Sequence, residues 1–170
     1  MMFTMPKTRA PKRKTTSTSQ FWLLKSEPDV FSWADLVARG ARGEPWTGVR
    51  NYQARNNMRA MRIGDLGFFY HSNEGLAIAG ILEVIAPAHP DPTDDTGKWE
   101  CVDVRAVAPL PKPVSIEATK ANPKLSKMVL VVNSRLSVQP VKSEEWTEVC
   151  RMGGLTSSTL TKVADRKVRR

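Results

Sequence analysis

The sequence predicts one α+β domain, in which five or six strands form a closed or nearly closed small barrel flanked by short helices. Its 170 residues suit a single domain with loose ends. Several β-rich stretches follow one another closely in the middle of the chain, and short segments with helix-capping signals flank them. No run of about 18 apolar residues occurs, so we expect no membrane-spanning helix.

The net positive charge of the chain comes from its two ends. Residues 1–19 carry five basic and no acidic residues, and their content of Thr, Ser and Pro predicts a disordered tail. Residues 156–170 carry a net charge of +4 and are interpreted as a second basic tail. The intervening residues 20–155, with 16 basic and 16 acidic residues, are predicted to form the domain. The tails could bind polyphosphate or merely keep the protein soluble, and both readings stay open.

The first predicted elements are a strand and a capped helix. The aromatic and aliphatic run 21–26 is typical of a buried strand, which Pro28 ends. Ser32 and Asp35 have the spacing of a capping box, and Gly40 would end the helix that they begin. The predicted apolar face of this helix consists of Trp33, Leu36 and Val37.

A second helix is predicted after Asn51, whose side chain can cap it. Its buried face would carry Ala54, Met58 and Met61, and a parallel stripe would carry Arg55, Arg59 and Arg62. Beyond it, strands are predicted at 66–72, 76–85, 99–107 and 135–141, with a turn at 73–75, a loop at 87–97, a break at 109–113 and short helical pieces within 115–131. A last helix would begin at Ser143, bury Trp146, Val149 and Cys150, and stop at Gly153.

Residues for familiar catalytic or metal chemistry are scarce. The chain lacks phosphate-loop, dinucleotide-binding, zinc-protease and serine-hydrolase motifs. Cys101 and Cys150 are interpreted as packing residues, His71 as structural or superficial, and His89 as solvated. We therefore expect no metal and no cofactor, and we consider a binding protein more plausible than an enzyme.

Two segments concentrate groups that suit a flat polar ligand. The first runs from Trp22 to Asp29 and the second from Trp46 to Asn51. Indole faces stack on heterocycles, a glycine backbone admits close approach, and Arg and Asn side chains suit base edges or phosphates. The core and pocket readings of Trp22 are balanced, whereas Trp46, outside any apolar pattern, is predicted to be exposed or half-exposed. We expect Trp33, Trp99 and Trp146 in the core. A polar strand face with Arg135, Ser137 and Gln139 could supply a third wall.

These segments resemble the EVE domain family. The likeness covers nearly all of residues 21–154 in order and rests on 21–29 (FWLLKSEPD), 32–33, 46–56 (WTGVRNYQARN), 64–65, 69–73, 90–93, 134–141, 145–146 and 152–154. It implies a PUA-like fold, a small mixed β-barrel with helices, and a non-catalytic reader of modified bases, with cytosine derivatives in DNA as the favoured ligands. The YTH readers of methylated adenine are more distantly similar, with a Lys-Ser pair after the first strand and a pocket tryptophan.

The resemblance and the two segments together predict the site residues. The ligand-binding set is Trp22, Lys25, Ser26, Glu27, Trp46, Gly48, Val49, Arg50, Asn51, Ser72, Arg135 and Ser137. Arg55 and Arg59 are predicted to hold the nucleic-acid backbone. The expected partner is DNA or RNA with a modified base, bound by a monomer without membrane or metal. The expected location is the nucleoid-containing cytoplasm of a prokaryote or the nucleus of a eukaryote.

Two other functions compete with a base reader. Related PUA-like domains include hydrolases, so an enzyme acting on a modified nucleoside or nucleotide could use Lys25 with Glu27. A protein-interaction module needs no pocket deep enough for a base.

Overall fold

The computed structural model describes residues 20–155, so both predicted basic tails lie outside the described residues. The strands are β1 (Phe21–Ser26), β2 (Glu44–Pro45), β3 (Leu66–His71), β4 (Ala77–Pro90), β5 (Glu100–Ser115) and β6 (Val138–Val141). The helices are α1 (Trp33–Arg39), α2 (Tyr52–Ala60), α3 (Ile116–Ala121), α4 (Val129–Val132) and α5 (Ser143–Met152). Short 3-10 turns lie at Gly40–Arg42 and Pro123–Leu125.

The six strands form one mixed sheet in the order β2-β5-β4-β3-β1-β6. Strands β1 and β3 pair in parallel, and the other neighbours pair antiparallel. The α+β class and the strand number are confirmed. The sheet is not closed, however, because within residues 20–155 no ladder joins the edge strands β2 and β6, which have only two and four residues. The expectation of a closed barrel treated the strands as consecutive neighbours, whereas α1 and α2 form a crossover between β1 and β3.

The sheet has an apolar core on each face, as the alternation of side chains along β1 requires. Trp22 and Leu24 belong to a core shared with α1 and α2. Leu23, on the opposite face, belongs to a core shared with α5. The prediction that Trp146 lies in the core is confirmed, because its exposed fraction is 6%. Its ring stacks on those of Phe21 and Phe68, at centroid distances of 4.3 and 4.0 Å.

The predicted helix caps are confirmed. Ser32 and Asp35 form the capping box of α1, and the Asn51 side chain accepts the Ala54 N–H at the start of α2. On α1 the apolar face is narrower than predicted, because Leu36 is buried whereas Val37 is 51% exposed. On α2 the predicted apolar face is fully buried, as are the predicted apolar positions of α5.

Several predicted boundaries are wrong at the proline-containing stretches. β4 continues through Pro87 to Pro90, and β5 continues through Pro109, Pro111 and Pro113, where a loop and a break are predicted. The ladder between these strands shifts register several times, and the prolines in these two strands are exposed. Proline is tolerated in a strand at such bulges because its missing N–H interrupts no ladder bond there.

No helix in the described part of the chain is long and apolar enough to cross a membrane.

Candidate functional site

A cleft of about 300 Å³ opens where β1 ends, opposite the segment that follows β2. Its lining consists of Lys25, Ser26, Val30, Phe31, Arg39, Glu44, Pro45, Trp46 and Thr47. A cavity of this size lies at the lower end of the range for small-molecule sites. The cleft therefore has room for one flat heterocycle.

Two aromatic rings form a right-angled corner in the cleft. Phe31 and Trp46 have ring centroids 6.3 Å apart and planes at 86°. Trp46 in turn packs edge-on against Phe69 at 5.5 Å. A planar ligand can lie against one ring while it contacts the other, an arrangement that aromatic quadrupoles favour.

The position of Trp46 differs from the prediction of an exposed or half-exposed indole. Its exposed fraction is 6%, so most of the ring belongs to the core. The backbone N–H of Trp46 donates to the Val102 carbonyl at 2.8 Å, and this bond holds the segment after β2 against the sheet. The indole still lines the cleft beside Lys25.

Lys25 and Ser26 supply polar groups at the end of β1. The Lys25 ammonium donates to the Ser134 carbonyl at 2.6 Å, and burial lowers its pKa. Because an ammonium has three N–H donors, two remain for a ligand. The Ser26 hydroxyl donates to the Phe31 carbonyl at 2.6 Å, so its oxygen can still accept a hydrogen bond. On the same cleft, Arg39 and Glu44 form an ion pair at 2.9 Å.

The turn between β1 and α1 is fixed at both ends. The Glu27 carbonyl accepts the N–H groups of Val30 and Phe31, at 3.0 and 2.9 Å. At the start of α1, the backbone N–H of Trp33 donates to Nε2 of His71 at 3.1 Å. Burial lowers the pKa of His71, which favours the neutral imidazole that this hydrogen bond requires. His71 is thus an anchor for the wall that carries Phe31.

Asp91 holds the segment from Trp46 to Asn51 in place. Its buried carboxylate accepts the Gly48 N–H at 2.8 Å and an Arg50 N–H at 3.0 Å through one oxygen. The other oxygen accepts the N–H and hydroxyl of Thr93, at 2.7 and 2.6 Å. Burial raises the pKa of Asp91, but hydrogen bonds from Thr93, Gly48 and Arg50 outweigh this effect and lower it to about 2. This role of Asp91 was not predicted from the sequence, although an Asp two residues before a Thr is a common turn signal.

Three predicted ligand or phosphate residues donate to a carboxylate within the described residues. The indole N–H of Trp22 donates to buried Asp65 at 3.0 Å, so this tryptophan is a core residue and not a cleft wall. Arg50 is paired with Asp91, as described above. Arg59 forms a two-point contact with Glu100, at 2.9 and 3.0 Å. The donor groups of these three residues, which were predicted to bind a ligand or a phosphate, therefore bind the protein's own carboxylates.

The predicted third wall does not line the cleft. The strand begins at Val138, so Arg135 and Ser137 lie in the preceding segment. The Ser137 carbonyl accepts the backbone N–H of Lys25. Gln139 is fully buried, and its side-chain amide donates to the Leu136 carbonyl. The predicted residues that also do not line the cleft are Glu27, Gly48, Val49, Asn51 and Ser72.

The structure thus brings together three of the predicted ligand residues, Lys25, Ser26 and Trp46. It adds Phe31, Arg39 and Glu44, which the sequence analysis missed. A signal existed only for Phe31, because an apolar residue just before a helix N-cap often packs back onto its surroundings.

One cluster in the described part of the chain has the composition of a metal site. The potential ligand atoms of His89, Cys101 and Asp103 lie within 4.8 Å of one another. His89 Nε2 is 2.7 Å from the Asp103 carboxylate, whereas the Cys101 sulfur lies 3.8 and 3.7 Å from the two ring nitrogens. The sulfur is therefore not in line with the Nε2 lone pair. Burial and the charges of Asp91 and Asp103 raise the pKa of the Cys101 thiol to about 12, which keeps it protonated. The arrangement is that of a packed thiol beside a His–Asp hydrogen bond.

The sequence matches a known protein family and several known proteins. The EVE domain model matches residues 20–152. The chain belongs to the EVE domain family. Thymocyte nuclear protein 1 of Homo sapiens is 36% identical over 172 residues, which cover 82% of this chain and 76% of that protein. The resemblance expected from the sequence motifs is confirmed.

Solved structures of similar proteins share the fold. Atu2648 from Agrobacterium tumefaciens is 64% identical, with a TM-score of 0.80 over 81% of this chain and 95% of its own. Human THYN1, solved in complex with DNA containing 5-methylcytosine, is 35% identical, with a TM-score of 0.74 over 79% and 98% of the two chains. The YTH domain of Zygosaccharomyces rouxii MRB1 has a TM-score of 0.51 at 17% identity over 80% and 85%, which shows a likeness of fold alone.

Proposed function

We propose that this EVE domain binds nucleic acid and holds one modified base, a cytosine derivative in DNA, in the cleft beside Lys25. The observation that carries the proposal is the right-angled corner of Phe31 and Trp46, with two polar side chains at its edge. A human relative of the same fold was solved with DNA containing 5-methylcytosine, which supports this class of ligand.

Size, shape and hydrogen bonding in the cleft all suit a base. Its volume of about 300 Å³ suits one heterocycle. The two unused N–H groups of Lys25 can donate to acceptors on the base edge, and the Ser26 oxygen can accept from a donor there. The apolar rings would surround a methyl group on the base, and burial of one methyl group contributes about 0.8 kcal/mol.

Arg55 is the helix residue best placed to take a phosphate. Within residues 20–155, no carboxylate lies within ion-pair distance of Arg55, whereas Arg50 and Arg59 each have one. Its guanidinium donates to the Lys98 carbonyl at 2.9 Å, which leaves further donors for an anion. Because residues 20–155 are neutral as a whole, the tails would add the remaining phosphate affinity.

A hydrolase is a weaker interpretation of the same cleft. The Lys25 ammonium is bound to the Ser134 carbonyl, and no ion pair links it to Glu27 in the described part of the chain. His71 accepts a backbone N–H, and both thiols have pKa values raised to about 12. These contacts favour a reader over a hydrolase. The proposal further includes a monomer without cofactor or metal, located in the nucleoid-containing cytoplasm of a prokaryote or the nucleus of a eukaryote.

The test compares two single-stranded DNA oligonucleotides that differ only in one 5-methylcytosine. Wild-type protein is expected to bind the methylated strand about fourfold more tightly or better, as burial of one methyl group predicts. Lys25→Met, which keeps the apolar stem, should weaken binding of the methylated strand about tenfold, because a hydrogen bond to a charged group is lost. Equal affinities of the wild-type protein for both strands would refute base reading.

Lys120→Met is the matched control, because Lys120 is exposed on α3 and outside the cleft. It removes the same charge and should not cause the tenfold loss of affinity for the methylated strand. Thermal unfolding of both variants confirms that each one folds.

A further inference from the structure

A second aromatic surface lies at the start of α2, outside the cleft. Tyr52 is 58% exposed, and its ring lies 4.9 Å from the ring of Trp99 with planes tilted by 32°. Trp99 is only partly buried, contrary to the prediction of a core residue, because β5 begins one residue later, at Glu100. We call this pair of rings, with Arg55, the Tyr52–Trp99 platform.

Arg55 completes the platform with a positive charge. Its guanidinium lies 4.8 Å from the centre of the Tyr52 ring and 5.7 Å from that of Trp99. The hydrogen bond to the Lys98 carbonyl fixes it there. Arg50 lies over Trp99 at 5.8 Å, but its charge is balanced by Asp91. The exposed Tyr52 ring and the partly buried Trp99 ring could stack on a base, and an arginine without a carboxylate partner in the described residues could bind the adjoining phosphate.

The platform is held in a fixed relation to the cleft. The segment from Trp46 to Asn51 runs from one to the other, and its six residues span at most about 22 Å. Asp91 binds this segment at Gly48 and Arg50, and the Asn51 cap begins α2. The backbone N–H of Trp99 donates to the Asp94 carboxylate at 2.9 Å, which fixes the backbone that carries the second ring of the platform. The two surfaces are therefore within reach of nearby nucleotides on one strand.

We propose that the Tyr52–Trp99 platform stacks an unpaired nucleobase that neighbours the base held in the cleft, with Arg55 on the adjoining phosphate. This inference rests on the proposed function and extends it to the flanking strand. Stacking on aromatic rings tolerates any base, so the platform contributes affinity and the cleft contributes selectivity.

The test uses a single-stranded DNA oligonucleotide with one 5-methylcytosine and a second version with two abasic positions on each side of it. Tyr52→Ala should weaken binding of the first about 5- to 150-fold, the loss expected for one stacked base. Tyr52→Phe should retain the affinity, since the ring is kept. Val132→Ala, at an exposed apolar residue on α4, should have no effect. The abasic version should bind the wild-type protein weakly, and Tyr52→Ala should weaken it no further.

The outcomes separate this inference from the proposed function. If Tyr52→Ala binds the intact strand as the wild-type protein does, the platform does not stack a base, and docking of a protein partner there becomes the better explanation. An equal loss on the abasic strand would also overturn the inference. A wild-type protein that does not distinguish methylated from plain strands would refute base reading, while the Tyr52→Ala comparison would still test the platform.

Discussion

At the scale of single residues, Asp91 determines the geometry of the site more than any side chain that lines the cleft. One buried carboxylate accepts four hydrogen bonds and joins the 90–93 region to the segment that carries Trp46. The backbone at Gly48 and the side chain of Arg50 were predicted to meet the ligand because of their chemistry. Their actual partner is 41 residues or more away in sequence, which no local pattern indicates.

Asp91→Asn tests this role through the pH dependence of stability. The pKa of Asp91 is about 2 in the folded protein and near 3.8 in the unfolded chain, so its contribution is present above about pH 4 and is lost as the pH falls through 2. The shift corresponds to about 2 kcal/mol. Urea unfolding should show the variant about 2 kcal/mol less stable at pH 6, with the difference shrinking toward pH 2.

Asp29→Asn serves as the control, since Asp29 is exposed and its side chain has no hydrogen bond within residues 20–155. It should unfold as the wild-type protein does at each pH. A difference between Asp91→Asn and the wild-type protein that stays constant from pH 6 to pH 2 would contradict the assigned role of the carboxylate.

At the scale of elements, the cleft depends on β2, a strand of two residues that the sequence did not predict. β2 pairs with β5 through Glu44 and Pro45, and both residues line the cleft. Gly43 precedes it with φ +67° and ψ −160°, a conformation that is nearly exclusive to glycine. A Cβ there would lie 2.2 Å from the Val104 carbonyl oxygen. Capping signals predicted the helices well because they are local, whereas β2 and the parallel β1–β3 pair depend on distant partners.

Gly43→Ala is expected to disturb β2 more than conformational strain alone would do. Gly40 offers the matched comparison, because it has a similar conformation, φ +59° and ψ −144°, with no atom within 4 Å of a Cβ. Both variants should lose about 1–3 kcal/mol from strain, and Gly43→Ala should lose about 1–3 kcal/mol more from overpacking. Chemical denaturation measures both losses, and equal destabilisation would show that the approach of Gly43 to β5 does not matter.

At the scale of the whole molecule, a neutral domain bears the cleft, and the excess charge lies outside the described residues. The two cores hold β1 from both faces of the sheet, because Trp22 and Leu23 pack in opposite directions just before Lys25. The motifs predicted the family, and the β-rich stretches with helix-capping signals predicted the fold class, because both are local features of the sequence. The open sheet edge and the buried state of Trp46 could not be predicted in this way, because both follow from packing across the sheet.

The most direct test of base reading is a comparison of amide NMR spectra of ¹⁵N-labelled protein saturated with two DNA strands that differ in one methyl group. If the methylated base lies in the cleft, the shift differences between the two complexes should concentrate at Ser26, Phe31 and Thr47 and be small at the Tyr52–Trp99 platform. Identical spectra, or differences confined to residues outside the cleft, would contradict the proposal.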